Sequence, residues 1–457
     1  MKSLQEAPKP PSLPGRLEVP TRQSPDAGRN DLAAQRWGVI APEGAVGDAL
    51  LRVIAPLVAH REKEQGAPVK MYRVPEDMDA AASVRWKQQV LQAEAVPEEE
   101  RPWYLLLLGD LHHVSIELQQ VLAHEACVGR LHVGRPDGEP DLAGYGAYVK
   151  KLLDWEQRPA GEEAPDVVLY TARDGTAATE GGHQFLMEPC RQSLGTGWKT
   201  KRLVLDVPYD ASSPEALLRA AGQARAGVML SVTHGLSRPE QGWASPEEQR
   251  ALQGALSVGP GQELTGEHLR NTPFLPGGMW FPVTCFGAAT PARSAFHAWI
   301  AQLAKAGAFA GPASSVLWSL PGAGERPFVA ALPQALLANE QGPLAIIGHS
   351  DLAWLISFLD EENPSSSRAS HILSALKVLT NGSRAGLAHF ALMRAYREAN
   401  DSLMAGYQAR ADALLYGHPD PTDPVRQGML WLRRNDLRGY VLLGDPAARL
   451  AVKRGAR

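Results

Sequence analysis

The chain contains 457 residues, and its 46 Lys and Arg residues against 50 Asp and Glu residues give a formal net charge of −4. This near balance argues against a nucleic-acid-binding protein, because such proteins usually carry a basic face. Hydrophobic residues make up 44% of the chain, which is ample for a sizeable core. The longest clean apolar run is far shorter than the ~20 residues that cross a membrane. We therefore expect a globular protein with no membrane span.

The cysteine content and the first residues together indicate a cellular compartment. The chain has only three cysteines, too few for a disulfide framework or a zinc cluster. Cys127 and Cys190 are predicted to be small buried apolar residues. The first residues contain no apolar segment of the kind that directs secretion. These features predict a cytoplasmic protein that holds no metal.

The chain opens with a proline-rich segment. Six prolines fall among the first 25 residues, with polar residues between them. Such a segment cannot bury enough apolar surface to offset the entropy lost on ordering. Residues 1–35 are therefore predicted to form a disordered arm.

Between residues 36 and 160, short apolar runs alternate with segments of helical periodicity. Strands are predicted at 37–41, 69–74, 103–108 and 128–133, and helices at 48–63, 77–93, 116–126 and 145–156. This alternation is typical of a parallel sheet covered by helices. A connector rich in proline and glutamate follows at 157–165 and predicts a domain boundary.

The same alternation resumes between residues 161 and 457. Strands are predicted at 166–172, 201–207, 227–233, 279–284, 313–319, 343–348 and 440–443, and helices at 181–194, 214–224, 292–305, 328–337 and 372–415. Residues 249–269 alternate apolar and polar side chains around a Gly-Pro-Gly turn, which predicts a hairpin that decorates a site. We predict a three-layer α/β/α sandwich of two tandem α/β subdomains, 36–160 and 161–457, the second ending in a helical segment.

Two consecutive strands of the second subdomain end in residues suited to catalysis. One strand delivers His234 and Gly235, and the next delivers Cys285. Catalytic groups gather at the carboxyl ends of parallel strands, so an imidazole and a thiol are expected at the same edge of the sheet. A thiol is the most capable nucleophile at neutral pH, and an imidazole can serve as its base. The N–H groups of Gly235 and Cys285 could then face a developing oxyanion.

The segments VMLSVTHG (228–235) and WFPVTCFGAA (280–289) resemble the two catalytic strands of caspase-like cysteine peptidases. The wider pattern, which includes RPWYLLLLGD (101–110) and YVLLGDPAARL (440–450), resembles the gingipain-type branch and the related CHAT-domain proteases. The resemblance implies a cysteine endopeptidase without a cofactor, in which His234 and Cys285 are the catalytic dyad and the first subdomain is non-catalytic. It departs from the caspase signature Gln-Ala-Cys-x-Gly, which here reads Val-Thr-Cys-Phe-Gly.

The resemblance also suggests which residues choose the substrate. The loop after the first strand of the catalytic subdomain contains Arg173 and Asp174. An inward Arg173 would favour an acidic residue before the scissile bond, and an inward Asp174 would favour Arg or Lys. Asp351 and Trp354, which follow the strand at 343–348, are further candidates for the wall of the specificity pocket.

Two other classes of function stay open. Gly348-His-Ser350 resembles part of the nucleophile elbow of serine hydrolases, although Leu352 replaces the final glycine of that motif. A non-proteolytic scaffold of the same fold is the other alternative. The partner expected from the resemblance is a protein substrate, with a gasdermin-like pore former of a bacterial antiviral defence system as an example. No pattern in the sequence indicates an oligomeric state.

Overall fold

The computed structural model describes residues 27–161, 165–197, 202–205, 213–309, 313–322, 325–359 and 367–452. Residues 1–26 of the predicted arm and 162–164 of the predicted connector lie outside the described residues. The segment from residue 27 onwards packs on the rest of the molecule. The Tyr104 hydroxyl donates to the Arg29 carbonyl at 2.7 Å, and Leu32 is buried. Residues 27–35, which the sequence analysis assigned to the arm, are therefore part of the folded molecule.

Ten of the fifteen strands in the described residues form one central sheet. The strands are β1 Trp37–Pro42, β2 Lys70–Val74, β3 Tyr104–Leu108, β4 Cys127–Leu131, β5 Val167–Thr171, β6 Arg202–Leu205, β7 Val228–Val232, β8 His234–Gly235, β9 Leu256–Gly259, β10 Gln262–Leu264, β11 Met279–Val283, β12 Ala289–Thr290, β13 Phe328–Val329, β14 Ala345–His349 and β15 Tyr440–Gly444. The order across the large sheet is β2-β1-β3-β4-β15-β14-β11-β7-β5-β6. Most neighbouring pairs are parallel, as the alternation of strands and helices predicts.

Helices flank this sheet. They are α1 Leu32–Gln35, α2 Gly44–Val53, α3 Ala55–Gln65, α4 Ala80–Trp86, α5 Ile116–Leu122, α6 Leu142–Glu156, α7 Ala177–Gly182, α8 Glu188–Gly197, α9 Ser213–Gln223, α10 Pro246–Leu252, α11 Gly266–Leu269, α12 His297–Lys305, α13 Ala313–Ser319, α14 Ala331–Ala338, α15 Ser370–Thr380, α16 Ala385–Tyr416 and α17 Pro424–Gly439. Short 3₁₀ or π turns lie at Lys87–Leu91, Glu98–Glu100, His183–Met187 and Leu355–Phe358. No helix in the described part of the chain is both long and apolar enough to cross a membrane.

The last strand along the chain joins the two halves of the sheet. β15 pairs in parallel with β4 on one side and antiparallel with β14 on the other. The strands before residue 160 and β15 therefore run in one direction, and the other strands of this sheet run in the opposite direction. The carboxyl ends of β7 and β11 consequently lie at one edge of the sheet, and those of β3 and β4 lie at the other. The two candidate catalytic strands share their edge with β5 and β14.

Several predicted elements differ from the structure; for example, residues 372–415, predicted as helical, form the two helices α15 and α16. Residues 313–319, predicted as a strand, form helix α13; a short apolar run does not distinguish the two, and here Val316 faces the core while Trp318 is exposed. The predicted helix 48–63 is two helices, because Pro56 lacks the N–H that a continuous helix needs. Helix α17 was not predicted, although Asp423 caps it and Pro424 occupies its first turn.

A buried arginine links segments that are far apart along the chain. The Arg61 side chain is fully buried and donates to Glu156 at 2.8 Å, to Asp445 at 2.6 Å and to Glu64 at 2.7 Å. Trp37 also donates to Asp445, at 2.8 Å. Burial alone would raise the pKa of Glu156, but Arg61 and His60 outweigh it and hold the pKa at about 2. This contribution to stability is therefore present above the ordinary value of 4.5 and is lost as pH falls towards 2.

Replacing Arg61 by methionine is expected to lower the free energy of unfolding by ~3–5 kcal/mol, because it leaves buried carboxylates without a counter-charge. The matched control is Arg410→Met, which removes the exposed ion pair with Asp420 and should leave stability nearly unchanged. Urea unfolding at pH 7 measures both variants, and equal stabilities would contradict the prediction. In the native protein, stability should also fall between pH 4.5 and 2.

Candidate active site

Strands β7 and β11 place His234 and Cys285 at the same edge of the sheet. The two strands are parallel neighbours, and Val232 pairs with Val283 at their ends. The register continues one residue further, since the Thr233 N–H donates to the Val283 carbonyl at 3.3 Å. His234 and Cys285 each lie two residues beyond the last pair. The sheet thus delivers both residues at equivalent positions on adjacent strands.

Gly235 allows the backbone segments that follow β7 and β11 to approach each other closely after they leave the sheet. A Cβ atom at this position would lie 2.0 Å from the Cys285 carbonyl oxygen and 2.8 Å from Oγ1 of Thr284. Real Cβ atoms do not approach a backbone oxygen so closely. Only glycine therefore permits the observed contact between the backbone after His234 and the backbone at Cys285.

The predicted hairpin lies against the same residues. Its helical start is α10, and β9 and β10 then form an antiparallel pair around the Gly-Pro-Gly turn. Strand β9 pairs with His234 and Gly235 themselves. The Leu236 N–H donates to the Ala255 carbonyl at 2.8 Å, and bonded positions alternate along an antiparallel ladder. The N–H of Gly235 therefore points away from β9.

The His234 ring is held by the loop after β5. Its Nε2 lies 2.9 Å from Oγ1 of Thr176 and 3.4 Å from Oδ2 of Asp174. The Thr176 hydroxyl donates to Oδ1 of Asp174 at 2.7 Å, so its oxygen accepts from Nε2–H of His234. This arrangement places the ring proton on Nε2. The other ring nitrogen, Nδ1, is then in the state that can accept a proton.

The Asp174 carboxylate is itself fixed by the start of helix α7. Its Oδ1 accepts from the Thr176 N–H at 3.0 Å and from the Thr179 hydroxyl at 2.6 Å. Burial works to raise the pKa of Asp174, but the hydrogen bonds from Thr179 and Thr176 outweigh it and hold the pKa below its ordinary value. The Asp174 carboxylate is therefore ionised at neutral pH and lies beside the His234 ring.

The Cys285 thiol is half-buried, whereas Cys127 and Cys190 are fully buried. Its Sγ lies 3.8 Å from the Ala353 carbonyl oxygen, to which the S–H donates. Burial, together with the nearby carboxylates of Asp351 and Asp436, raises the pKa of the thiol to about 11. The thiol is therefore protonated at neutral pH, and it needs a base to act as a nucleophile.

The residue after Cys285 turns the chain sharply. Phe286 has φ of 56°, in the left-handed region that side chains other than glycine seldom occupy. Its ring is fully buried in a small cluster with Phe296 and Leu352, and its N–H donates to the Asp351 carbonyl at 2.8 Å. The packing and the hydrogen bond hold a conformation that costs ~1–2 kcal/mol. They thereby hold the turn that immediately follows Cys285.

His234 and Cys285 line a cavity of about 1020 Å³. Its walls come from the ends of β7 and β11, from the segments around Phe309 and Val316, from residues 352–359, and from helix α17. Trp354 contributes one wall, with its ring edge-on to Phe309. The cavity is large enough to receive more than one amino-acid side chain of a substrate.

The other residues that the sequence analysis singled out have different environments. Arg173 pairs with Glu180 at 2.6 Å on the surface. The Asp351 carboxylate is buried and accepts from the N–H groups of Leu352 at 2.8 Å and Ala295 at 3.1 Å. Ser350 is buried, and only Trp354 among the predicted substrate-binding residues is part of the cavity wall.

Three contributors to the site were not predicted from the sequence. They are Thr176, which contacts His234; the Ala353 carbonyl, which contacts Cys285; and helix α17, which closes the cavity. The sequence does contain a signal for Thr176, because Asp-Gly-Thr before a helical segment is typical of a helix N-cap. Since β5 is the neighbour of β7 in the sheet, this cap lies close to the end of the strand that carries His234. The other two depend on contacts between segments that are distant along the chain.

One group of side chains among the described residues has the spacing of metal ligands. His60, Glu64 and Glu156 offer atoms that lie within 4.8 Å of one another. The Arg61 guanidinium already donates to both carboxylates. The arrangement therefore fits an ion-pair network, and it lies apart from His234 and Cys285.

No protein-family profile matches the sequence, and no curated protein matches it. Solved structures do match. One, described as "Structure of Protease", has a TM-score of 0.51 and 12% identity, and the match covers 92% of this chain and 80% of that one. The Arg-specific cysteine proteinase gingipain R matches with a TM-score of 0.50 and 12% identity, over 93% of this chain and 79% of its own. The predicted α/β/α fold is confirmed, and the chain has, at a coarse level, the fold of a caspase-like cysteine peptidase.

Proposed function

We propose that the protein is a cysteine endopeptidase in which Cys285 is the nucleophile and His234 is its base. The observation that carries the proposal is the placement of these two residues at equivalent positions on adjacent strands, in the wall of one cavity. Asp174 acts as a positioning residue. It fixes the orientation and tautomer of the His234 ring through the Thr176 hydroxyl.

In the proposed reaction, the Cys285 sulfur attacks the scissile carbonyl while Nδ1 of His234 takes the thiol proton. The carbonyl oxygen becomes an oxyanion, for which the N–H groups of Gly235 and Cys285 are the proposed donors. His234 then gives its proton to the leaving amine, and the C–N bond breaks to leave a thioester on Cys285. Water, deprotonated by His234, attacks the thioester and releases the second product with regeneration of the thiol.

The geometry favours this function over the serine hydrolase. Ser350 is 3% exposed and is not part of the cavity wall, so a substrate carbonyl in the cavity does not reach it. Cys285, by contrast, borders the cavity beside a histidine. The scaffold alternative differs from the proposal in chemistry and not in fold, and reactivity of Cys285 separates the two.

A peptidyl acyloxymethyl ketone tests the proposal, because such a probe needs an activated thiol beside a peptide-binding cleft. We expect an adduct on Cys285 and none on Cys127 or Cys190, which serve as internal controls because both are buried. The His234→Ala variant should react much more slowly. Mass spectrometry of the digested protein locates the adduct. Failure of every peptidyl probe to modify Cys285 would favour the scaffold.

The proposal extends to limited proteolysis of a partner protein. A gasdermin-like pore former is the partner class that the sequence resemblance implies. Cleavage of a co-encoded protein at one site by the native enzyme, and not by the Cys285→Ala variant, would support this extension. A partner left intact by the native enzyme would remove it.

A further inference from the structure

The cavity beside Cys285 is lined mainly by apolar side chains. Most of its lining side chains are aliphatic, aromatic or thioether groups, among them Val316, Leu355, Ile356 and Met429. Val283, two residues before Cys285, belongs to the same wall. The cavity is therefore an apolar space that begins at the nucleophile.

Among the described residues, no Asp, Glu, Lys or Arg side chain lines the inner part of this cavity. Besides His234, the charged lining residues are Asp423 and Arg426, both exposed at the first turn of α17. They carry opposite charges, and Oδ1 of Asp423 accepts from the Val425 N–H at 2.9 Å as the helix cap. These two residues lie at the rim, where solvent screens them.

The three charged residues that were predicted to bind substrate each have partners within the protein. Arg173 is paired with Glu180, Asp174 with two threonine hydroxyls and His234, and Asp351 with backbone N–H groups. None of the three lines the cavity. A substrate guanidinium or carboxylate buried there would lose its hydration without gaining a counter-charge from the described walls, which is strongly unfavourable.

We infer that the enzyme cleaves after a large apolar residue, such as leucine, methionine or phenylalanine, and that this side chain fills the cavity next to Cys285. The inference rests on the proposed function. An apolar side chain gains free energy in proportion to the area it removes from water, so a large residue is favoured over alanine. The cavity volume of about 1020 Å³ accommodates any of these side chains and leaves room for a second apolar residue.

A series of fluorogenic peptides that differ only in the residue before the scissile bond tests the inference. We expect kcat/KM for Leu, Met or Phe to exceed that for Arg and for Asp by at least ~100-fold, and that for Ala by ~10-fold. Fastest cleavage after Arg or Asp, abolished in Cys285→Ala, would overturn the inference and leave the peptidase intact. Peptides that all stay uncut, together with an unreactive Cys285, would overturn both.

A charge placed on the wall gives a second test. Met429→Glu adds a carboxylate to the cavity from α17, where Met429 is half-buried. We expect kcat/KM for the Leu peptide to fall at least ~10-fold and the ratio of Arg to Leu cleavage to rise. Met404→Glu is the matched control, because Met404 is 52% exposed on α16. An unchanged Arg to Leu ratio in a folded Met429→Glu protein would contradict the inference.

Discussion

Replacing Cys285 by alanine is expected to lower kcat/KM for peptide cleavage by at least ~10⁴-fold, because the reaction then lacks its nucleophile. Two control variants isolate this effect. Cys190→Ala removes a fully buried thiol, and Ser350→Ala removes the nucleophile of the alternative serine hydrolase. Both controls should retain cleavage. Steady-state kinetics on the preferred peptide measures all three variants, and activity retained by Cys285→Ala would end the proposal of a cysteine peptidase.

The same experiment shows whether His234 and Cys285 act together. His234→Ala should lose activity to a similar extent, and the double variant should be little worse than either single one, since residues that act as a unit are not additive. Additive losses would indicate that His234 contributes through a separate role. Thermal unfolding of each variant serves as the check that the fold is kept.

Replacing Gly235 by alanine is expected to lower kcat/KM by at least ~100-fold. The added Cβ would lie 2.0 Å from the Cys285 carbonyl oxygen, so one of the two backbones must move. A displacement of about 1 Å at a catalytic group is enough for a loss of this size. Because Gly235 also carries a proposed oxyanion N–H, the main effect should fall on kcat.

The control for this substitution is Gly406→Ala. Gly406 lies in helix α16, and a Cβ there meets no atom within 4 Å. Alanine is the better helix former, so this variant should keep full activity and equal or higher stability. If Gly235→Ala is as active as Gly406→Ala, the close approach of the backbone segments at Gly235 and Cys285 is not needed for catalysis.

The sheet could be predicted from the sequence because buried parallel strands form continuous apolar runs. Tyr104–Leu108 and Val228–Val232 are examples, since every residue in both strands is buried. The edge of the sheet at which His234 and Cys285 lie follows from the same pattern, because parallel strands end together. The strand order does not follow from this pattern. The central position of β15 depends on pairing between segments that are distant along the chain.

The environment of each side chain was less accessible to prediction. The Arg173-Asp174 pair reads equally well as a specificity determinant or as a turn, and only the tertiary structure places Asp174 beside His234. The apolar cavity was not predicted because its walls come from α13, which resembles a strand in sequence, and from α17, which lies about 140 residues after Cys285. Local periodicity carries no information on such contacts.

The position of β15 has a consequence for how the molecule assembles. Its neighbours β4 and β14 present open edges to each other until the strand between them is in place, and Asp445, which follows it, bonds to Trp37 across 408 positions of sequence. The two halves of the sheet can therefore join through β15 only after their other strands have been made. Contacts of such long range form slowly, and unpaired edges attract other chains in the meantime. The central sheet is thus closed in its middle by the strand that comes last among its members in chain order.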